Sequence, residues 1–301
     1  MSLHWLTWSN PVAVWWGFLI AVSAANIMLW LLLHSRFRRG AGDWRRAAFA
    51  IEPLLLLSAA YVFGCAFRSL LPRADVQRIC LFDTFLSSVV VGRSVATIAE
   101  ICFVVQWAIV LRELARMTHS DTGKNISFVI VPLIVVAECF SWYAVITTDF
   151  LGNLIENSIW TVTFGLIAVA LLRLVPRFHG LVQWAIAACA AGIAAYVVFM
   201  SSVDVPMYYV RWQTQLADGR EFLGAFSGFY DAATRWVVTH DFARWKNEIA
   251  WMSLYFSVAV WSSLALAGFA LVRDHLPRYR VRRPLKFANR PVAIPVPAPR
   301  R

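Results

Sequence analysis

Residues 89–111 read VVVGRSVATIAEICFVVQWAIVL. Apart from Arg93, Glu100 and Gln106, the stretch holds only apolar and small side chains. As a helix it reaches about 35 Å, enough to cross about 30 Å of hydrocarbon. The same reading applies to six further runs, so the stretch decides the fold class and also poses a problem. A charged group inside a bilayer needs a partner or a task.

The 301 residues are 60% hydrophobic and 15% charged, with mean hydropathy +0.62. A soluble domain is nearer a quarter charged. Apolar runs cover approximately 11–33, 47–67, 85–111, 126–148, 154–175, 181–203 and 250–272. The expectation is an all-α integral membrane protein with seven transmembrane helices in one bundle over residues 1–275. A basic, Pro-rich tail over 276–301 lacks the apolar content to bury a core and is expected to be disordered. The first run has no basic residue ahead of it and continues through IMLWLLL, so it reads as a retained span rather than a cleaved signal.

Charge sets the orientation. Of 28 Lys and Arg, nineteen fall on one side, in the connections after spans one, three and five and in the tail. Eight fall on the other side, and Arg93 lies within a span. The positive-inside rule then places the N-terminus outside and the C-terminus in the cytoplasm. This accounts for the net charge of +11 without nucleic acid, and such a face attracts anionic lipid. The compact connections fit a bacterial inner membrane.

The longest connection, residues 204–249, lies on the outer side and is rich in aromatics, among them Trp212, Phe222, Trp236 and Trp245. Short amphipathic helices that cap the bundle or lie on the membrane surface are expected there. DVPMYYVRW, from Asp204, reads as the turn out of span six or as a lid.

The intramembrane charges are the candidate site. Glu100 and Glu138 fall near the middles of spans three and four. Arg93 precedes Glu100 by seven residues, hence shares its helix face, with Thr97 between them. Ser141 and Trp142 follow Glu138 by three and four, and Trp160 follows Glu156 by four, so each set shares a face. Converging faces would form an outward-opening pocket with walls of Trp142 and Trp160, a floor of Glu138 and Glu100, and a rim of Arg93 and Glu156. Two carboxylates beside one guanidinium in low dielectric cannot both stay ionised. Glu138 and Glu100 are therefore the expected acid–base pair, Arg93 the anion clamp, and Trp142, Trp160, Glu156, Ser141 and Thr97 the substrate contacts. The competing reading is a buried network that fixes helix register. Glu52, beside Pro53 at a span end, reads as structural, and Asn26 as an interhelical hydrogen bond.

Absences narrow the classes. Lys124, Lys246 and Lys286 all lie outside the spans, which excludes a retinal Schiff base. The six histidines sit at span ends or in loops, which disfavours a buried haem. No phosphate-binding glycine motif occurs, so no cofactor is indicated. His240 and Asp241 have no metal-ligand spacing, and no metal is expected. Cys65 and Cys80 flank one connection and are candidates for a disulfide; Cys102, Cys139 and Cys189 read as small packed hydrophobes. The seven-span pattern lacks the DRY-like triplet and NPxxY of G-protein-coupled receptors. The leading expectation is acid–base handling of a small or lipid-like molecule. A proton-coupled transporter and an accessory membrane subunit are the alternatives, with the lipid bilayer the one partner indicated and the oligomeric state open.

Overall fold

The computed structural model describes residues 5–40 and 48–272. The basic tail at 276–301 lies outside them, and so does the Glu52 side chain. Among the described residues, seven helices are long and apolar enough to cross a membrane. Their outward faces carry Leu29, Leu32, Phe128, Val162 and Leu172, all exposed, which suits lipid rather than water.

The helices are α1 Pro11–Gly40, α2 Ala48–Leu70, α3 Val89–Thr118, α4 Asp121–Thr147, α5 Phe150–Leu174 and α6 Gly180–Phe199. Then come α7 Val205–Ala217, α8 Ala225–Thr234, α9 Phe242–Leu254 and α10 Val260–Val272. Local chemistry sets several starts. Ser88, Ser120, Asp149 and Asp241 each accept a backbone N–H in the first turn of α3, α4, α5 and α9. His119 and Thr148, both left-handed, close α3 and α4, so two-residue connections fold α3, α4 and α5 side by side. Neighbours in sequence pack as neighbours from α1 to α6, while α10 returns to α2, α3 and α1.

The connection at 204–249 differs from expectation. The sequence DVPMYYVRW makes no turn. One π-turn, Met200–Asp204, joins α6 to α7, and a second, Tyr255–Ala259, joins α9 to α10. Both rods therefore run on well past the apolar runs that marked them. Pro206 gives a reason for the first: it has no N–H for the preceding turn, and Val205 N–H reaches back five residues to Met200. At the second, Asn26 Nδ2 donates to the Phe256 carbonyl at 2.9 Å, and Trp261 Nε1 donates to Asn26 Oδ1 at 3.0 Å. The interhelical role expected of Asn26 is thus met.

A small sheet and α8 cap one end of the bundle. Strands β1 Arg73–Ala74 and β2 Ile79–Cys80 pair antiparallel, and β3 Val237–Val238 adds to β2 in parallel. Trp5 stacks on His240, whose Nε2 is 2.9 Å from the Leu81 carbonyl. Asp241 serves as the α9 cap. Gly228 of α8 packs so close to α4 that a Cβ there would stand 2.1 Å from the Ile146 carbonyl oxygen. Cys65 and Cys80 are buried and unbridged, Cys102 is half-buried, and Cys139 and Cys189 are exposed on the bundle surface rather than packed inside.

Candidate functional site

The side chains of Arg93 and Glu100 run along one face of α3 and close the two-turn gap between them. Arg93 Nη2 donates to Glu100 Oε2 at 2.7 Å and to Glu138 Oε2 at 2.7 Å, and lies 3.8 Å from Glu156 Oε1. One guanidinium thus serves three carboxylates, brought together from α3, α4 and α5. All four groups are buried.

A second ring of donors holds the carboxylates. Thr97 Oγ1 donates to Glu138 Oε2 at 2.6 Å, and Trp142 Nε1 donates to Thr97 Oγ1 at 3.1 Å. Tyr255 OH donates to Glu100 Oε1 at 2.8 Å, and Asn153 Nδ2 to Glu156 Oε2 at 3.2 Å. Tyr255 is the first residue of the second π-turn, so that irregularity places a donor on the cluster.

The cluster forms part of the wall of a cavity of about 580 Å³. Arg93, Glu100, Glu156 and Trp160 line it, as expected. Glu138, Thr97, Ser141 and Trp142 do not: Glu138, Thr97 and Trp142 stand behind the guanidinium, in the α3–α4 interface, and Ser141 stands beside Glu156 of α5. This corrects the expected floor of Glu138 and Glu100 and the expected wall of Trp142. Glu138 and Trp142 turn toward α3, because α4 packs between α3 and α5. Facing the cavity instead is the pair Glu100 and Glu156.

Sequence reading missed several cavity residues. Tyr255 belongs to a different span. Asn153 was legible, since it precedes Glu156 by three residues. Phe103, Trp107 and Phe164 make an aromatic wall, with Phe164 5.7 Å from Trp160. At the capped end the cavity meets Arg68, Arg73, Asp75 and Gln77 of the α2–β1–β2 segment, and Asp204 and Glu248 as well.

Asp75 anchors the α2–β1 corner. Arg73 Nε lies 2.9 Å from Asp75 Oδ1 and Arg68 Nη2 lies 3.8 Å from it. Burial alone would raise the Asp75 carboxyl, but the Arg73, Arg68 and Arg93 guanidinium groups outweigh it and hold it at about 2. Burial also pulls the Arg73 guanidinium below its ordinary value, against the pull of Asp75.

The oxygens of Glu100, Glu138 and Glu156 lie within 4.8 Å of one another, close enough in principle for a shared cation. Arg93 Nη2, bonded to two of them, already supplies positive charge in their midst. No other such grouping occurs among the described residues, and His240 and Asp241 take no part in one. Comparison with protein families, curated proteins and solved structures gives no match for this chain.

Proposed function

We propose that this chain is a membrane enzyme that performs acid–base chemistry on a lipid-like amphiphile bound in the cavity. In this reading the N-terminus and the capped end face outward, the C-terminus is cytoplasmic, and the membrane is a bacterial inner membrane. The uneven Lys and Arg distribution supports the orientation.

One observation carries the functional reading: three buried carboxylates share one guanidinium at the wall of a roomy, mostly apolar cavity. Carboxylates this close cannot all be ionised, so a proton resides in the cluster. Glu100 takes a hydrogen bond on each oxygen, from Arg93 and Tyr255. Glu156 takes Asn153 Nδ2 on one oxygen, has the Ser141 hydroxyl beside it and lies 3.8 Å from Arg93. These two cavity-facing groups, in different surroundings, are the acid–base pair of this reading. Glu138, fixed by Thr97 and Trp142, positions Arg93 and does not face the ligand.

The test is lipid mass spectrometry of membranes holding wild type, Glu100→Gln or Glu156→Gln. At least one lipid species should be consumed in wild type and persist in both variants. Identical lipid profiles across the three would return the cluster to helix packing.

A further inference from the structure

Two groups of buried charge, opposite in sign, line the same cavity, and each includes a polar atom without a partner among the described residues. On one wall, Arg73 is 2% exposed, spends Nε on Asp75 and Nη1 on the Ser87 carbonyl at 3.4 Å, and has no partner for Nη2 among the described residues. Its guanidinium is seated on Gly92, where a Cβ would lie 2.5 Å from Nη1, so only glycine leaves room for it. Arg68 beside it has no partner for Nε. Asp75 balances one of these two cations, which leaves this wall net positive.

Asp204, which also lines the cavity, closes the first π-turn, is 5% exposed, and has no partner for Oδ2 among the described residues. Glu248 of α9 takes Gln77 Nε2 at 3.1 Å and lies 3.5 Å from Arg211. Arg211 balances one of the two carboxylates, which leaves this wall net negative. An anionic ligand would answer Arg68 and Arg73 but face Asp204 and Glu248 unpaired. A cationic one would reverse the fault. Buried charges without partners are expensive, and a ligand carrying both signs answers both walls.

The tail route is visible as well. The cavity is also lined by Cys189 and Gly192 of α6 and by Leu254 and Val258 of the α9–α10 rod, and all four are exposed on the bundle surface. The main packing partner of α6 is α5, and that of α10 is α2. The cavity therefore reaches the lipid-facing surface between the two rods that carry π-turns.

We infer that the cavity binds a zwitterionic phospholipid-like amphiphile, its phosphate on Arg68 and Arg73, its ammonium on Asp204 and Glu248, and its chains leaving sideways between α6 and α10. This deepens the proposed function, resting on the same cavity as the ligand site but not on the chemistry of Glu100 and Glu156.

The experiment is a titration of the detergent-purified full chain, followed by the fluorescence of the cavity-lining Trp107, Trp160 and Trp251. Four probes are compared: dihexanoyl phosphatidylethanolamine, dihexanoyl phosphatidic acid, dihexanoylglycerol and phosphoethanolamine. The ethanolamine lipid should bind at least tenfold tighter than the phosphatidic acid, and the other two should be weaker still. Arg68→Gln should weaken both phosphate-bearing lipids about tenfold. Asp204→Asn should weaken the ethanolamine lipid about tenfold and leave the phosphatidic acid unchanged or tighter. Circular dichroism and the unfolding midpoint confirm that each variant is folded; should one fail, Arg68→Lys and Asp204→Glu, with weakening of a few-fold, take its place. Dihexanoylglycerol binding as tightly as the ethanolamine lipid, or affinities indifferent to both substitutions, would overturn the proposal. Phosphoethanolamine binding as tightly as the lipid would overturn its lipid half. Glu100→Gln separates the two readings: intact lipid binding without conversion in any variant or wild type sinks the acid–base chemistry alone.

Discussion

Arg78 and Arg93 are both buried arginines, at 2% and 6% exposure, yet their surroundings differ. Arg78 sits in the cap, in left-handed backbone. Its Nε donates to Asp231 Oδ2, Nη1 to the Asp75 carbonyl and Nη2 to the Val145 carbonyl, each at 2.8 Å. One carboxylate balances it, every nitrogen is used, and three elements are tied together: the hairpin, α8 and the end of α4. Arg93 faces three carboxylates, leaves Nε without a partner among the described residues, and borders a cavity. A side chain that only holds a fold is satisfied and walled in. Arg93 is surrounded by more negative charge than it balances, next to open space, which suits a site where protons move.

The largest effect should come from Arg78→Gln. It leaves two buried carbonyls without their donor and Asp231 with Arg235 alone, and should cost about 3 kcal/mol of stability. Denaturant unfolding in detergent measures this, and the fraction that stays folded should keep the lipid conversion proposed for the Arg93 cluster. A loss under about 1 kcal/mol would remove the distinction between the two arginines.

Asp75→Asn should follow, at about 2 kcal/mol near neutral pH. The folded carboxyl titrates at about 2, below its ordinary value of 3.8, so its contribution is present above pH 3.8 and disappears as pH falls through about 2. Unfolding curves of the variant and wild type should accordingly converge across that window. A gap that persisted below it would mean that Asp75 acts through packing and not through charge.

Gly228→Ala brings a Cβ against the Ile146 carbonyl and should cost about 1–3 kcal/mol by pushing α8 off α4. Proteolysis between α8 and α9 should then quicken while the spans stay protected. Smallest in stability and largest in activity is Glu100→Gln. Its unfolding midpoint should match or exceed that of wild type, because the amide relieves crowding among three carboxylates. Conversion should fall about 10²–10⁴-fold. A midpoint drop like that of Arg78→Gln would make the Arg93 cluster a packing device too.

Much of this was legible in the order of residues. Apolar runs of span length give seven helices because a helix satisfies its own backbone in lipid. The spacing of Arg93 and Glu100 gives a shared face, since seven residues are nearly two turns. Span depth set Glu138 at the floor and Glu156 at the rim, whereas Arg93 Nη2 reaches Glu100, Glu138 and Glu156 together. Which of them faces a cavity was not legible. Glu138 and Glu156 have similar local patterns, and only the packing of α4 between α3 and α5 turns the first inward to α3 and leaves the second at the cavity.

The sequence by itself determined the apolar character of this protein and how many of its helices are long enough to cross a membrane, because hydropathy and helical rise are local and additive. The tertiary structure decided which charges are satisfied, where the cavity opens, and that Tyr255 and Asp204 face it from the two π-turns. Those outcomes depend on which helix lies beside which, a choice made by contacts between residues far apart in the chain.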